Sequence, residues 1–194
     1  MLLNHLSPIL WIMIKLIALD RDGVINEDSP NYIRSPEEWI PIPSSLEAIV
    51  QLTAGGYPVV VVTNQSGVGR KYFSLDTLEA IHEKMLRAVR AAGGEIAYIF
   101  YCPHTPEDDC DCRKPKPGLL LQAAASFNIL PSDILMIGDA FRDILAAKNC
   151  GAQAIFLNNS GKTEDLALAT AAAVPICSSL HEAVLLLKTQ HLLQ

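Results

Sequence analysis

The chain has no excess of basic charge. Its 15 Lys and Arg face 21 Asp and Glu, for a formal net charge of −6 at pH 7. No cationic stripe is present to neutralise a phosphate backbone, which argues against a nucleic-acid partner. Cysteine is too scarce for a disulfide scaffold: five in 194 residues, three of them crowded at Cys102, Cys110 and Cys112. That crowding suggests metal binding in a reducing compartment, so a cytoplasmic location is expected. Nothing reads as a membrane span. Met1 to Ile14 is apolar, but it contains Asn4 and His5, lacks a basic start and a small-residue cleavage site, and is too short to cross a bilayer. We expect residues 1–12 to be a loosely attached extension ahead of a second possible start at Met13, and residues 13–194 to form a single domain. Repeats and low-complexity tracts are absent.

What is present is an alternation of strand and helix patterns. Half the residues are hydrophobic, enough at this length to bury a core. Short β-branched or apolar runs read as buried strands at Ile17 to Asp20, Tyr57 to Thr63, Ile96 to Tyr101, Ile134 to Gly138, Gln153 to Leu157 and Ala173 to Cys177. Helices are expected between them: Ser44 to Ala54 with serine as its cap, a stretch after Ser74, Pro117 to Phe127, Phe141 to Cys150, Glu164 to Ala172, and a final one opened by a capping box at Ser179-Leu-His-Glu182. In the second of these, Leu75, Leu78, Ile81, Met85 and Val89 mark the buried face, and His82 beside them reads as a partly buried surface residue. The predicted fold is α/β, a Rossmann-like three-layer sandwich with a mostly parallel central sheet. The polar, proline-containing stretch from Val24 to Pro43 reads as a long loop of the kind that shapes binding sites. Cys150 and Cys177 sit in apolar settings and read as core residues.

Polar groups fall at the ends of four strands: Asp20 and Asp22, then Thr63 and Asn64, then Arg113 and Lys114 beyond the third, then Asp139. In a parallel sheet these ends can share one crevice. Carboxylates gathered there would repel one another without a cation between them. Oxygen donors of this kind favour Mg²⁺, which shares its shell with a substrate phosphate, and an aspartate can serve as a phosphoryl-accepting nucleophile. Asp143, four residues after Asp139, reads either as support for the metal or as a first-turn acid stabilising its helix. Cys102, His104, Cys110 and Cys112 supply four soft ligands, enough for a tetrahedral Zn²⁺. The spacing Cys-x-His-x₅-Cys-x-Cys is tighter than common zinc-finger patterns.

Asp20-Arg-Asp22-Gly23, Thr63-Asn64, Lys114 and Gly138-Asp139 resemble, in order, the four motifs of the haloacid dehalogenase-like phosphatase superfamily. Thr63-Asn-Gln-Ser-Gly67, Cys102-Pro-His104, Cys110-Asp-Cys-Arg-Lys-Pro115 and Pro117-Gly118 are similar to its D-glycero-D-manno-heptose-1,7-bisphosphate 7-phosphatase group. The resemblance spans roughly Ile14 to Thr163. It implies that Asp20 is the nucleophile, Asp22 the acid and base, Thr63 and the backbone near Asn64 the phosphate holders, and Lys114 the group that orients Asp20. It implies Mg²⁺ on Asp20, the Asp22 carbonyl and Asp139, and a structural zinc on the Cys/His quartet. Arg113 would recognise the far end of the sugar, and Arg70 would contact phosphate or sugar. A monomer without a large cap domain is expected, removing the C7 phosphate for surface-glycan precursors such as those of lipopolysaccharide. The rival expectations are histidinol-phosphate phosphatase and a zinc-stabilised binding module without catalysis.

Overall fold

The computed structural model describes residues 13–159, 161 and 163–189; the expected extension at residues 1–12 lies outside them. Six parallel strands form one sheet in the order β3-β2-β1-β4-β5-β6. They are β1 (Leu16–Leu19), β2 (Val59–Asn64), β3 (Tyr98–Cys102), β4 (Ile134–Gly138), β5 (Gln153–Leu157) and β6 (Ile176–Cys177). Between and after them run α1 (Pro43–Ala54), α2 (Leu75–Ala92), α3 (Gly118–Phe127), α4 (Phe141–Cys150), α5 (Thr163–Ala171) and α6 (Leu180–Thr189). The central strand β1 lies between β2 and β4, with Ala18 in register with Val60 on one side and Met136 on the other. Every residue of β1 and β4 is buried. That explains why both read as unbroken apolar runs rather than as an alternation.

The strand period of two sorts these residues onto two faces. Ile17, Leu19, Val59, Val61, Leu135 and Ile137 pack with residues of α1, α2 and α6. Leu16, Ala18, Val60, Val62 and Met136 pack with residues of α3, α4 and α5. The three-layer architecture expected from the sequence is therefore present. No large cap interrupts it among the described residues. Two segments stand over the carboxyl ends of the strands: residues 20–42 after β1 and residues 103–117 after β3. The first is not a loose loop. Val24, Ile25, Ile33 and Trp39 are buried in the core, and backbone bonds Glu27 N–H to Ile40 O and Ile42 N–H to Ile25 O close its base.

Some local details differ from the sequence reading. The α1 helix begins at Pro43 with Ile42 at its N-cap, so Ser44 is not the cap. Proline's fixed φ suits the first helical position, where its missing N–H is not needed. At α6, Ser179 Oγ accepts from Glu182 N–H, but the Glu182 carboxylate takes the N–H and hydroxyl of Ser178. The serine arm of the expected box is thus present, and only the glutamate arm is displaced by one residue. His82 is buried, not a surface residue, and its ring packs edge-on against Tyr101 with centroids 5.7 Å apart. Among the described residues, no helix is long and apolar enough to cross a membrane.

Burial, together with the charge of Arg21, pushes the His82 imidazole down from 6.5 to about 3. Between those two pH values the unfolded chain holds a proton there that the folded chain does not. Stability from this group is present above pH 6.5 and falls with pH by about 1.4 kcal/mol per unit through that window. Denaturant unfolding between pH 7.5 and 4.5 is expected to show a shallower loss in His82→Phe than in the parent chain. Parallel pH profiles would contradict the buried neutral ring.

Candidate active site

The chain leaves β1 at Asp20 and turns at once. Ile25 N–H donates to Arg21 O at 2.8 Å and Gly23 N–H to Asn26 O at 2.8 Å. Gly23 has φ +77°, and a Cβ there would lie 2.5 Å from Asp139 Oδ2. Both the backbone conformation and the close approach of the carboxylate require glycine. Asp139 follows β4 directly, so the β1–β4 pairing carries these two acids to the same end of the sheet. Asp20, Asp139 and Asp143 are all buried, and one oxygen of each lies within 4.8 Å of the others.

Lys114 enters this cluster from the segment that follows β3. It is buried, and its ammonium lies 3.1 Å from Asp20 Oδ1 and 2.7 Å from Asp143 Oδ1 while donating to the Val62 carbonyl at 2.7 Å. Burial works against the Asp20 carboxylate. The charges of Lys114 and Arg142 and the Arg21 N–H, which donates to Oδ1 at 2.7 Å, outweigh it and hold the group below the ordinary carboxylate range. Burial and the neighbouring Asp20 charge push Asp143 the other way, upward. Asp143 also accepts the Ala140 N–H at 3.1 Å. It therefore serves both as counter-ion to Lys114 and as the first-turn acid of α4, a combination invisible in its sequence position.

Asp22 stands at the rim with its side chain 25 % exposed. Gln65 Nε2 donates to Asp22 Oδ2 at 3.0 Å and to Thr63 Oγ1 at 2.9 Å, joining the expected acid to the expected phosphate holder. Asn64 spends its side chain on the backbone of Lys114: Nδ2 donates to the Lys114 carbonyl and Oδ1 accepts the Lys114 N–H, each at 3.0 Å. Asp20, Asp22, Thr63, Asn64 and Arg113 share a cavity of about 200 Å³ with Arg142 and with Ser29 and Tyr32 of the loop after β1. Arg113 is tethered there by a bond from Nη1 to the His104 carbonyl at 3.3 Å. Arg70 does not line this cavity; its guanidinium lies 4.0 Å from Glu107. Arg142 carries no motif signal; Gln65 lies inside the Thr63–Gly67 motif and Asp143 stands four residues after Asp139, but only the folded turn and α4 show which groups they meet.

The Cys/His quartet closes on itself. Sγ of Cys110 lies 3.5 Å from that of Cys102 and 3.4 Å from that of Cys112, and His104 Nδ1 lies 3.6 Å and 3.3 Å from Cys102 and Cys112. These separations are too long for a disulfide and match the edges of a tetrahedron around an ion bound at about 2.0–2.3 Å. Burial drives the Cys102 thiol upward, whereas in Cys110 bonds from the Cys112 and Cys102 thiols overcome burial and hold the group near 7.

Removing a buried charge leaves its partners uncompensated. Lys114→Met is expected to lower the unfolding free energy by about 3–5 kcal/mol. Asp143→Asn added to Lys114→Met should recover part of that loss, read by denaturant unfolding of both singles and the double. Strictly additive losses would mean that the two groups do not couple.

Comparison with known proteins agrees with this geometry. The HAD-hydrolase-like family profile matches residues 111–183. A D-glycero-beta-D-manno-heptose-1,7-bisphosphate 7-phosphatase of Neisseria meningitidis is 50 % identical over 149 residues, covering 76 % of this chain and 80 % of that protein. The protein of the same name from Pseudomonas putida is 49 % identical over 150 residues, covering 77 % and 85 %. The crystal structure of the D,D-heptose 1,7-bisphosphate phosphatase of B. bronchiseptica, complexed with magnesium and phosphate, superposes with a TM-score of 0.86 at 40 % identity, covering 91 % of this chain and 99 % of that one. At this identity and coverage the chain belongs to the heptose-bisphosphate phosphatase family of the haloacid dehalogenase-like hydrolases.

Proposed function

We propose that this phosphatase removes the C7 phosphate of a D-glycero-D-manno-heptose 1,7-bisphosphate, with residues 13–194 as its catalytic domain. The observation that carries the reading is Asp20, held ionised beside a buried Lys114 in a cavity that Arg113 and Arg142 line together with Asp22 and Asp28. Asp20 attacks phosphorus, and the bond from phosphorus to the C7 oxygen breaks as Asp22 gives that oxygen a proton. Water then attacks the aspartyl-phosphate, Asp22 takes its proton, and the bond to the Asp20 carboxylate breaks to release inorganic phosphate. Thr63 and the nearby backbone hold phosphate oxygens, and Asn64 fixes the backbone of Lys114. Arg113 and Arg142 line the route for the remainder of the sugar.

The gathered carboxylates of Asp20, Asp139 and Asp143 are hard oxygen donors that fit Mg²⁺; Asp20, Asp139 and the Asp22 carbonyl would hold it, with Asp143 behind them against Lys114 and the Ala140 N–H. When bound, this ion offsets negative charge that builds on the phosphoryl group. The thiol and imidazole separations fit Zn²⁺, with all four positions filled by protein, which suits a structural rather than catalytic role. Such a staple fixes residues 102–112 and therefore the approach of Arg113 and Lys114. Reduced thiols at this site accord with a cytoplasmic enzyme acting on precursors of lipopolysaccharide or another surface glycan. The names of the relatives at 49–50 % identity favour the heptose over histidinol phosphate, and the cost of burying an acid–lysine cluster speaks against a module without catalysis.

Steady-state hydrolysis with Mg²⁺ is expected to favour the heptose bisphosphate over histidinol phosphate by at least about tenfold in kcat/KM. Faster turnover of histidinol phosphate would reverse the substrate assignment. Asp20→Asn should abolish phosphate release while leaving the thermal transition within a few degrees. Cys110→Ser should chiefly lower zinc content and thermal stability; unchanged zinc stoichiometry would remove the staple.

A further inference from the structure

The mechanism leaves Arg21 without a task, although its placement is costly. The residue lies between two acids in the sequence, yet its side chain is 0 % exposed. Enclosing a guanidinium completely costs several kcal/mol unless its donors are well paired. Here Nε donates to Asp22 Oδ1 and Nη2 to Asp22 Oδ2, both at 2.9 Å, a two-pronged bond to both oxygens of one carboxylate. Nη1 has no hydrogen-bond partner, and neither does Nε2 of the buried His82, whose ring senses the Arg21 charge. Charge balance alone does not call for such an arrangement, since a lysine at the surface would neutralise Asp22 at lower cost. A planar fork does something a point charge cannot: it fixes the plane of the carboxylate.

Two amides complete the grip. Asn26 Nδ2 donates to Asp22 Oδ1 at 2.9 Å, and Gln65 Nε2 donates to Oδ2 at 3.0 Å while also holding Thr63. Gln65 and Asn26 are buried, so both anchors are rigid. The carboxylate is therefore gripped from the protein side and presented toward the cavity that holds Asp20. A proton donor must meet the leaving oxygen along one direction, and small misplacements are expensive in rate.

We propose that Arg21 is a positioning residue for proton transfer: its buried fork sets the plane of the Asp22 carboxylate, and Gln65 locks that plane to Thr63 and hence to the phosphate. The proposal rests on the reading of Asp22 as the acid and base. It predicts a defect confined to steps in which a proton moves.

The test compares two substrates in Arg21→Lys, Arg21→Met and Asn26→Leu; the Asn26 amide holds Asp22 but neither holds Thr63 nor lines the cavity. p-Nitrophenolate leaves without needing a proton at neutral pH, whereas a sugar alkoxide does not. With the heptose bisphosphate, kcat should fall about 10–100-fold with KM within about twofold. With p-nitrophenyl phosphate, first-turnover release of p-nitrophenolate should keep its parental rate and full stoichiometry, followed by a slower steady state as water attack becomes limiting. Equal slowing of both first turnovers, or unchanged turnover of the sugar, overturns the proposal. Where the Arg21 variants fail to fold by circular dichroism, Asn26→Leu, which removes a donor to Asp22 Oδ1 alone among the site's side chains, decides by the same criteria. Asp22→Asn run alongside separates the two claims: unimpaired sugar turnover there removes Asp22 as the donor, whatever the Arg21 variants do.

Discussion

The structure depends on one buried ammonium held against carboxylates. Lys114 sits where the carboxyl ends of β1, β2 and β4 meet, with Asp143 at 2.7 Å, Asp20 at 3.1 Å and the Val62 carbonyl at 2.7 Å. One N–H goes to the Val62 carbonyl and the charge lies against two carboxylates, and a buried lysine is tolerated when it is paired in this way. Asp20 gains the charged state that a nucleophile needs, while Asp143 carries the opposite perturbation. With Asp139 added, three acids face Lys114 and the nearby Arg142, and the one negative charge left over suits the crevice to a divalent cation.

Much of the remaining architecture delivers that lysine. It lies at the end of the segment that follows β3, a stretch with a short 3₁₀ turn at Pro106–Asp108 and few apolar residues of its own. The Cys/His quartet gathers the start of that segment, and Asn64 grips its end by two backbone bonds. β2 supplies the fixed side of the grip, since Asn64 is its last residue and is in register with Cys102 of β3. The Cys/His quartet and Asp20 are thereby linked through one strand pair, one asparagine and Lys114.

The strands and the acids were legible from the sequence because their signals are local. Buried parallel strands are continuous apolar runs, and Asp20, Asp22, Lys114 and Asp139 each stand in a recognisable order. The cysteine–histidine spacing likewise survives without tertiary information. Other features were not legible because they depend on meetings across the chain. Asn64 finds Lys114 fifty residues away, and Asp143 has two roles only because α4 aims it at that same lysine. Trp39 lies in a polar, proline-containing stretch, yet it is buried in the core. His82 sits beside the apolar face of α2, and the enclosure that keeps it neutral comes from other elements. The resemblance implies an Arg70 contact with phosphate or sugar; its guanidinium lies 4.0 Å from Glu107 and outside the cavity lining, a position set by its loop.

The central claim is that a phosphoryl group rests transiently on the Asp20 side chain. Borohydride reduces an acyl phosphate to an alcohol and leaves a free carboxylate untouched, so it marks the residue that carries the phosphoryl group. In samples quenched with borohydride during turnover, peptide mass spectrometry should find homoserine at position 20 and nowhere else. Homoserine at position 22 or 139, or none at any position while turnover proceeds, would contradict the account.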